Sequence, residues 1–294
     1  MPWGMLPGAA MNSLPRRFVH TGGVRTAYLD VGSGEPVVAL HGVPTSSALF
    51  EPLLPALEGF RVIAPDLLGQ GDTQAPPRGR LGRAEYAAHL AAFLATVAPP
   101  TFHLVVHDLG GMLGLEWAVA HLDRLRTVVV LSTSASPTLR TSFVKGAFWT
   151  FELLGGSRYV RGFLPRKARR TGAIDADLAE RWARPWTRGR FFRGRDLYAR
   201  RHLRGLAGRL RRIHVPTLVL WGSRDEVFPP RYGRRIRKRI RGAEMKIIPR
   251  AGHWLPVDAA AATGAEIAAF LRRAGTSAGA HEKLVQRFRP PTAS

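Results

Sequence analysis

At 294 residues, 45% hydrophobic and 22% charged, the chain suits one large α/β domain with an insertion or two domains, and its composition is that of an ordinary soluble globular protein. The absence of cysteine excludes a disulfide framework, a thiolate nucleophile and a Cys-based metal site, and no apolar run is long enough to cross a bilayer. A formal charge of +23 would suit a nucleic-acid binder, yet the basic excess is arginine almost throughout, with lysine only at Lys145, Lys167, Lys238, Lys246 and Lys283, and no binding module accompanies it.

We therefore read the charge as a bias of composition that brings salt-sensitive adsorption to anionic polymers, with no specific nucleic-acid partner expected. Residues 1–14, rich in Pro, Gly and Ala, predict a flexible leader. They lack the basic start and apolar core of a signal peptide, so the expected location is the cytoplasm.

Residues 17–20 and 24–30 predict two strands joined by Thr21-Gly22-Gly23, a hairpin signal. Residues 37–40 predict a buried strand running into His41-Gly42-Val43-Pro44-Thr45. A helix over 47–57 follows, with Ser46 or Ser47 as N-cap, then a strand over 60–64 that ends in Pro65-Asp66-Leu67-Leu68-Gly69-Gln70-Gly71. The stretch 83–97 predicts a helix with Tyr86, Leu90, Phe93, Leu94 and Val97 on one face.

Residues 102–107 form the next apolar run, Leu113, Trp117 and Ala118 then fall at helical spacing, and 126–131 predicts another strand. Alternating strands and helices over 37–131 imply parallel βαβ units, whose functional residues belong at the carboxyl ends of the strands. From 136 to 212 the pattern changes to aromatic and arginine-rich with no clear strand, which predicts a helical cap inserted into the sheet domain. Strands at 216–221 and 244–248 and helices at 231–240 and 257–273 complete the core, so the domain spans 15–135 and 213–273 and residues 274–294 are expected to be a mobile tail.

Asp108 sits at the corner between the 102–107 strand and the following helix, with Gly110 and Gly111 close behind it. Such a corner brings a carboxylate beside free helix amides and the positive end of the helix dipole, the geometry of a nucleophile elbow with aspartate where serine is usual. The competing reading is a plain N-cap, since aspartate is favoured there. Val106 stands where the elbow pattern has a small residue, a departure from the motif.

Two further strand ends bear on that choice. The 216–221 strand exits into Gly222-Ser223-Arg224-Asp225-Glu226, and the 244–248 strand into Pro249-Arg250-Ala251-Gly252-His253-Trp254. The order nucleophile, acid, histidine at successive strand ends favours a triad of Asp108, Asp225 and His253, with Glu226 in reserve for the acid. The loop after 126–131, Ser132-Thr133-Ser134, offers no carboxylate. The amides of Val43 and Leu109 are the expected oxyanion hole.

At this point the chain resembles the α/β-hydrolase superfamily, and within it the branch of epoxide hydrolases and haloalkane dehalogenases. The resemblance spans roughly residues 18–273. It rests on His41-Gly42-Val43-Pro44, Asp66 with Gly69 and Gly71, His107-Asp108-Leu109-Gly110-Gly111, Asp225 and Gly252-His253. It implies a mostly parallel sheet with helices on both faces and an inserted cap. It also implies a small-molecule substrate, a covalent alkyl-enzyme ester on Asp108, and neither cofactor nor metal.

A carboxylate attacking an acyl group would give a reactive anhydride, whereas attack on a saturated carbon bearing a leaving group gives an ester. Dehalogenases of this branch commonly cradle halide with an Asn after His-Gly or a Trp after the nucleophile, and this chain has Val43 and Leu109 there. Trp149, Trp182 or Trp186 from the cap would have to compensate. Epoxide hydrolases polarise the epoxide oxygen with cap tyrosines, for which Tyr159 and Tyr198 are the candidates. Together with His41 and Trp254, the cap residues Trp149, Trp186, Tyr159 and Tyr198 make up the expected substrate contacts. Epoxide opening is the favoured reading, carbon–halogen hydrolysis the alternative, and a non-catalytic small-molecule binder the alternative of another class.

Overall fold

The computed structural model describes residues 14–75, 82–135, 162, 174, 176–187 and 200–287. Strands β1 (Arg17–Thr21) and β2 (Val24–Val31) form the expected antiparallel hairpin. Its turn is built on Gly22 and Gly23 at φ +56° and +75°, a region that side chains disfavour. Strands β3 (Glu35–Leu40) and β4 (Phe60–Pro65) are joined through a 3-10 helix, Ser47–Leu57, where an α-helix was expected. Pro52 and Pro55 inside it lack amide hydrogens, which deprives an α-helical ladder of donors. Its N-cap is Ser46, whose side chain accepts from the Ala48 amide.

Helix α1 (Arg83–Thr96) buries Tyr86, Leu90, Phe93 and Leu94, the predicted face. Next come β5 (Phe102–His107), α2 (Asp108–Ala118) and β6 (Leu125–Leu131). Between β6 and β7 (Thr217–Gly222) the described elements are helical: α3 (Ala176–Ala183), 3-10 turns at Arg184–Thr187 and Leu210–Arg212, and α4 (Arg200–Arg209). Helix α5 (Arg231–Arg239), strand β8 (Glu244–Ile248), the short α6 (Leu255–Asp258) and α7 (Ala260–Arg287) complete the chain.

Two expectations at the C-terminus change. The 257–273 helix is broken at Ala259 into α6 and α7, and α7 runs on to Arg287 through the stretch expected to be a mobile tail. Ala278, Ala280, Glu282, Lys283, Leu284 and Gln286 are all good helix formers, but Gly275, Thr276, Ser277 and Gly279 before and among them read as a loop.

The eight strands form one sheet in the order β1-β2-β4-β3-β5-β6-β7-β8. Pairs involving β1 or β2 are antiparallel and all others parallel. Strands β5 and β7 are buried along their whole length, which explains their continuous apolar runs. The carboxyl ends of β3, β5, β7 and β8 open on the same edge of the parallel sheet. Ion pairs tie the insertion to the core there and nearby: Arg181 to Glu51 at 3.4 Å, Arg184 to Asp72 at 2.6 Å, and Arg209 to Glu116 at 3.2 Å. Among the described residues no helix is long and apolar enough to cross a membrane.

Candidate active site

The corner after β5 is tight. Asp108 adopts φ +49°, a left-handed conformation that costs a residue with a side chain and persists only where its surroundings enforce it. Three contacts do so. The Gly110 amide donates to the His41 carbonyl at 3.0 Å, the Thr133 hydroxyl donates to the Asp108 carbonyl at 2.5 Å, and Gly42 lies where any Cβ would strike the Asp108 side chain. Val106, the departure from the elbow pattern, is accommodated because Gly114 in α2 presents no side chain against it.

The Asp108 carboxylate does not cap α2. Its Oδ1 accepts from the Val43 amide at 2.9 Å, and its Oδ2 lies 3.6 Å from Nε2 of His253. The other ring nitrogen, Nδ1, is 3.2 Å from Oδ2 of Asp225, whose Oδ1 accepts from the amides of Val227 and Phe228 at 2.9 and 2.8 Å. All three side chains are buried. Because the Asp225 carboxylate only accepts, Nδ1 of His253 is the donor of that pair and Nε2 is the nitrogen turned to Asp108. Glu226, the reserve acid, is exposed.

Burial works against charge on His253, but the Asp225 and Asp108 carboxylates on either side outweigh it and push its pKa up to about 10. For Asp108 burial favours the neutral acid, and the hydrogen bond and charge of His253 overcome this and hold its pKa below the usual carboxylate value. The resting pair is a carboxylate beside an imidazolium.

The remaining sequence candidates fall in different places. The Val43 amide contacts Asp108, and Leu109 opens the first turn of α2, where helix amides have no partner inside the helix. Both ring nitrogens of His41 are engaged, Nδ1 donating to the Gly42 carbonyl at 2.8 Å and Nε2 accepting from the Leu67 amide at 2.9 Å. Burial pushes its pKa down to about 4, so His41 joins two loops and presents no ring nitrogen to a substrate. Trp254 is buried with its ring 5.9 Å from that of His253 and 6.0 Å from that of Trp182, which the insertion contributes through α3. Trp149, Tyr159 and Tyr198 lie outside the described residues, and of Trp186 only the backbone, in the 3-10 turn, is described.

Sequence reasoning passed over two residues that border the triad. Thr133 enters the sequence analysis only in a loop lacking a carboxylate, and His107 only in the strand and the elbow motif with no role of its own, although a histidine in an apolar run is the kind of signal that marks a buried polar contact. Among the described residues no cluster of His, Asp and Glu could hold a metal ion.

The model of the alpha/beta hydrolase fold family matches residues 35–260. The chain is 30% identical over 266 residues to a 2-hydroxy-6-oxo-2,4-heptadienoate hydrolase of Pseudomonas putida, covering 82% of this chain and 91% of that one. It is 38% identical over 127 residues to a haloalkane dehalogenase of Sphingobium indicum, covering 42% and 43% of the two chains. A solved meta-cleavage product hydrolase from Pseudomonas fluorescens superposes with a TM-score of 0.73 at 22% identity, over 88% of this chain and 98% of that one, a likeness of fold. The chain belongs to the α/β-hydrolase family and is a hydrolase by that membership.

Proposed function

We propose that this hydrolase acts on a saturated carbon through a covalent ester on Asp108. The observation that carries the reading is a carboxylate at the elbow, in line with His253 and Asp225 at 3.6 and 3.2 Å. In the first step an Asp108 oxygen bonds to the substrate carbon and the leaving group departs with the bonding electron pair. In the second, His253 takes a proton from water, the hydroxide adds to the ester carbonyl carbon, and collapse of the tetrahedral adduct expels the alcohol and restores the carboxylate. The amides of Val43 and Leu109 stabilise the oxyanion.

Charge explains how one histidine serves this cycle. While Asp108 is ionised, His253 keeps its proton, its pKa raised to about 10. Esterification abolishes the Asp108 charge, one of the two that raise it, and returns the imidazole toward a value at which it accepts a proton from water.

An epoxide is the favoured substrate class. Its opening leaves an alkoxide that takes up one proton, matching the proton that His253 gives up on esterification, whereas halide leaves without one. Val43 and Leu109 also carry no side-chain donor to hold a halide. Carbon–halogen hydrolysis is the second reading, favoured by the identity to the Sphingobium dehalogenase and by Trp182, whose buried Nε1–H has no hydrogen-bond partner among the described residues. Here α3 and α4 act as part of a cap over the strand ends.

A panel of terminal epoxides, 1-haloalkanes and p-nitrophenyl esters, assayed on the wild type, Asp108→Ala and His253→Gln, tests this. Diol from epoxides, loss of turnover in Asp108→Ala and an adduct of the full epoxide mass on Asp108 in His253→Gln are expected. An adduct of alkyl mass alone selects the dehalogenase reading. Ester hydrolysis that survives Asp108→Ala, with no adduct from any turned-over substrate, overturns both.

A further inference from the structure

The backbone at the end of β5 sends two adjacent side chains into the site. Asp108 faces Nε2 of His253, and His107, itself fully buried, places its own Nε2 3.0 Å from the main-chain carbonyl of His253. The two imidazole rings lie 4.9 Å apart. A carbonyl only accepts, so His107 donates through Nε2–H. Burial, the largest influence on this ring, pushes its pKa down to about 4, so it is neutral and its Nδ1 carries a lone pair. That Nδ1 is buried without a hydrogen-bond partner among the described residues. An apolar side chain would fill the same space without stranding a polar atom, so packing alone does not account for histidine here.

We infer that His107 is a positioning residue for His253, its Nε2–H tying the main chain of the base to the backbone that carries Asp108. His253 is then held at two points, its ring by Asp225 and its carbonyl by His107. The loop that delivers it needs the second hold. It leaves β8 through Arg250 at φ +61°, and Gly252 follows immediately before the histidine. Because residues 107 and 108 are consecutive, any shift of the elbow is transmitted to the base, and one hydrogen bond keeps their separation constant. Resting on the Asp108 ester reading, the inference assigns His107 to the hydrolytic step: displacement by Asp108 needs no base, whereas attack of water does.

His107→Leu removes the donor, and His107→Gln keeps an N–H at about the same reach. With 1,2-epoxyhexane and 1-bromohexane as probes, the expected result for His107→Leu is hydrolysis slowed about tenfold or more, with His107→Gln restored toward wild type; with the bromide, whose displacement draws no proton from His253, ester formation keeps its wild-type rate and adduct accumulates by mass spectrometry. Should the leucine variant fail to fold, His107→Met, equally without a donor, takes its place. Hydrolysis at the wild-type rate in the leucine or methionine variant, or an equal loss in His107→Gln, overturns the tether while an adduct in His253→Gln leaves the ester mechanism standing. No adduct in His253→Gln from a substrate the wild type turns over overturns the mechanism itself.

A second readout needs no substrate. The His253 Nδ1 proton shared with Asp225 should exchange with water about tenfold faster in His107→Leu than in the wild type or His107→Gln, as seen by proton NMR. Equal exchange in all three overturns the tether.

Discussion

Nε2 of His253 lies 3.6 Å from the carboxylate of Asp108, close enough that each holds the other in its charged form. The arrangement makes the histidine a poor base until Asp108 is neutralised, and this can be tested without substrate. In Asp108→Asn the His253 pKa should drop from about 10 toward its ordinary value, read by NMR titration of the ring protons. Linkage gives the sign for stability. A pKa raised on folding stabilises the native state fully below the unfolded value of 6.5, and that contribution is lost as pH climbs through about 10. Wild-type stability to urea should therefore fall over that window more steeply than that of Asp108→Asn, and parallel slopes would argue against the pair.

Asp225 divides its carboxylate between His253 and the amides of Val227 and Phe228. In Asp225→Asn the amides keep the side-chain oxygen, and the NH2 group turns to Nδ1 of His253. The imidazole must then accept at Nδ1 and carry its proton on Nε2, the tautomer unable to take a proton from water. Turnover should fall by about 10³–10⁴-fold, as for a triad whose histidine is held in the wrong tautomer, with the Asp108 ester accumulating in mass spectra. A loss confined to KM would mean that Asp225 serves substrate binding instead.

The strand alternation, the tight corner at Asp108 and the loop positions of Asp225 and His253 were legible because each is a local pattern: apolar runs, glycine punctuation, and an acid and a histidine just past a strand. What escaped is non-local or chemically ambiguous. The 3-10 character of Ser47–Leu57 comes from prolines at interior positions, and the run of α7 to Arg287 from helix formers that also suit a polar tail. His41 read as a substrate contact because a histidine after a strand looks functional, and only the fold shows both its nitrogens committed to Gly42 and Leu67. His107 and Thr133 act through partners 146 and 25 residues away, which spacing in the sequence does not reveal.

The insertion is held to the core by pairs of unequal worth. Glu51, its side chain 2% exposed, accepts Arg16 at 2.7 Å and Arg181 of α3 at 3.4 Å. Glu51→Gln leaves the buried Arg16 guanidinium without its counter-charge, while Arg181 keeps Asp177 of α3 at 3.0 Å, and the native state should lose about 3 kcal/mol in urea titrations. The Arg184–Asp72 pair is 57% and 43% exposed on its side chains, so Asp72→Asn should cost less than about 1 kcal/mol and lose even that at high salt. Equal losses in the two variants would remove the buried triad as the principal tie.

Val106 and Gly114 meet across the interface of β5 with α2, and the pairing explains how an elbow tolerates valine where its pattern has a small residue. A Cβ at position 114 would strike Cγ1 of Val106 and also approach Leu40. Gly114→Ala should therefore destabilise by about 1–3 kcal/mol through overpacking, despite the better helix propensity of alanine. Val106→Ala alone removes buried methyl groups and should cost about 0.5–2 kcal/mol. Combined, each change supplies what the other lacks, and the double variant should be more stable than the sum of the single losses by at least about 0.5 kcal/mol. The same cycle read in turnover should show that the clash reaches Asp108, which α2 carries on its first turn. Strict additivity in both measurements would mean that the valine is accommodated by some route other than the missing side chain of Gly114.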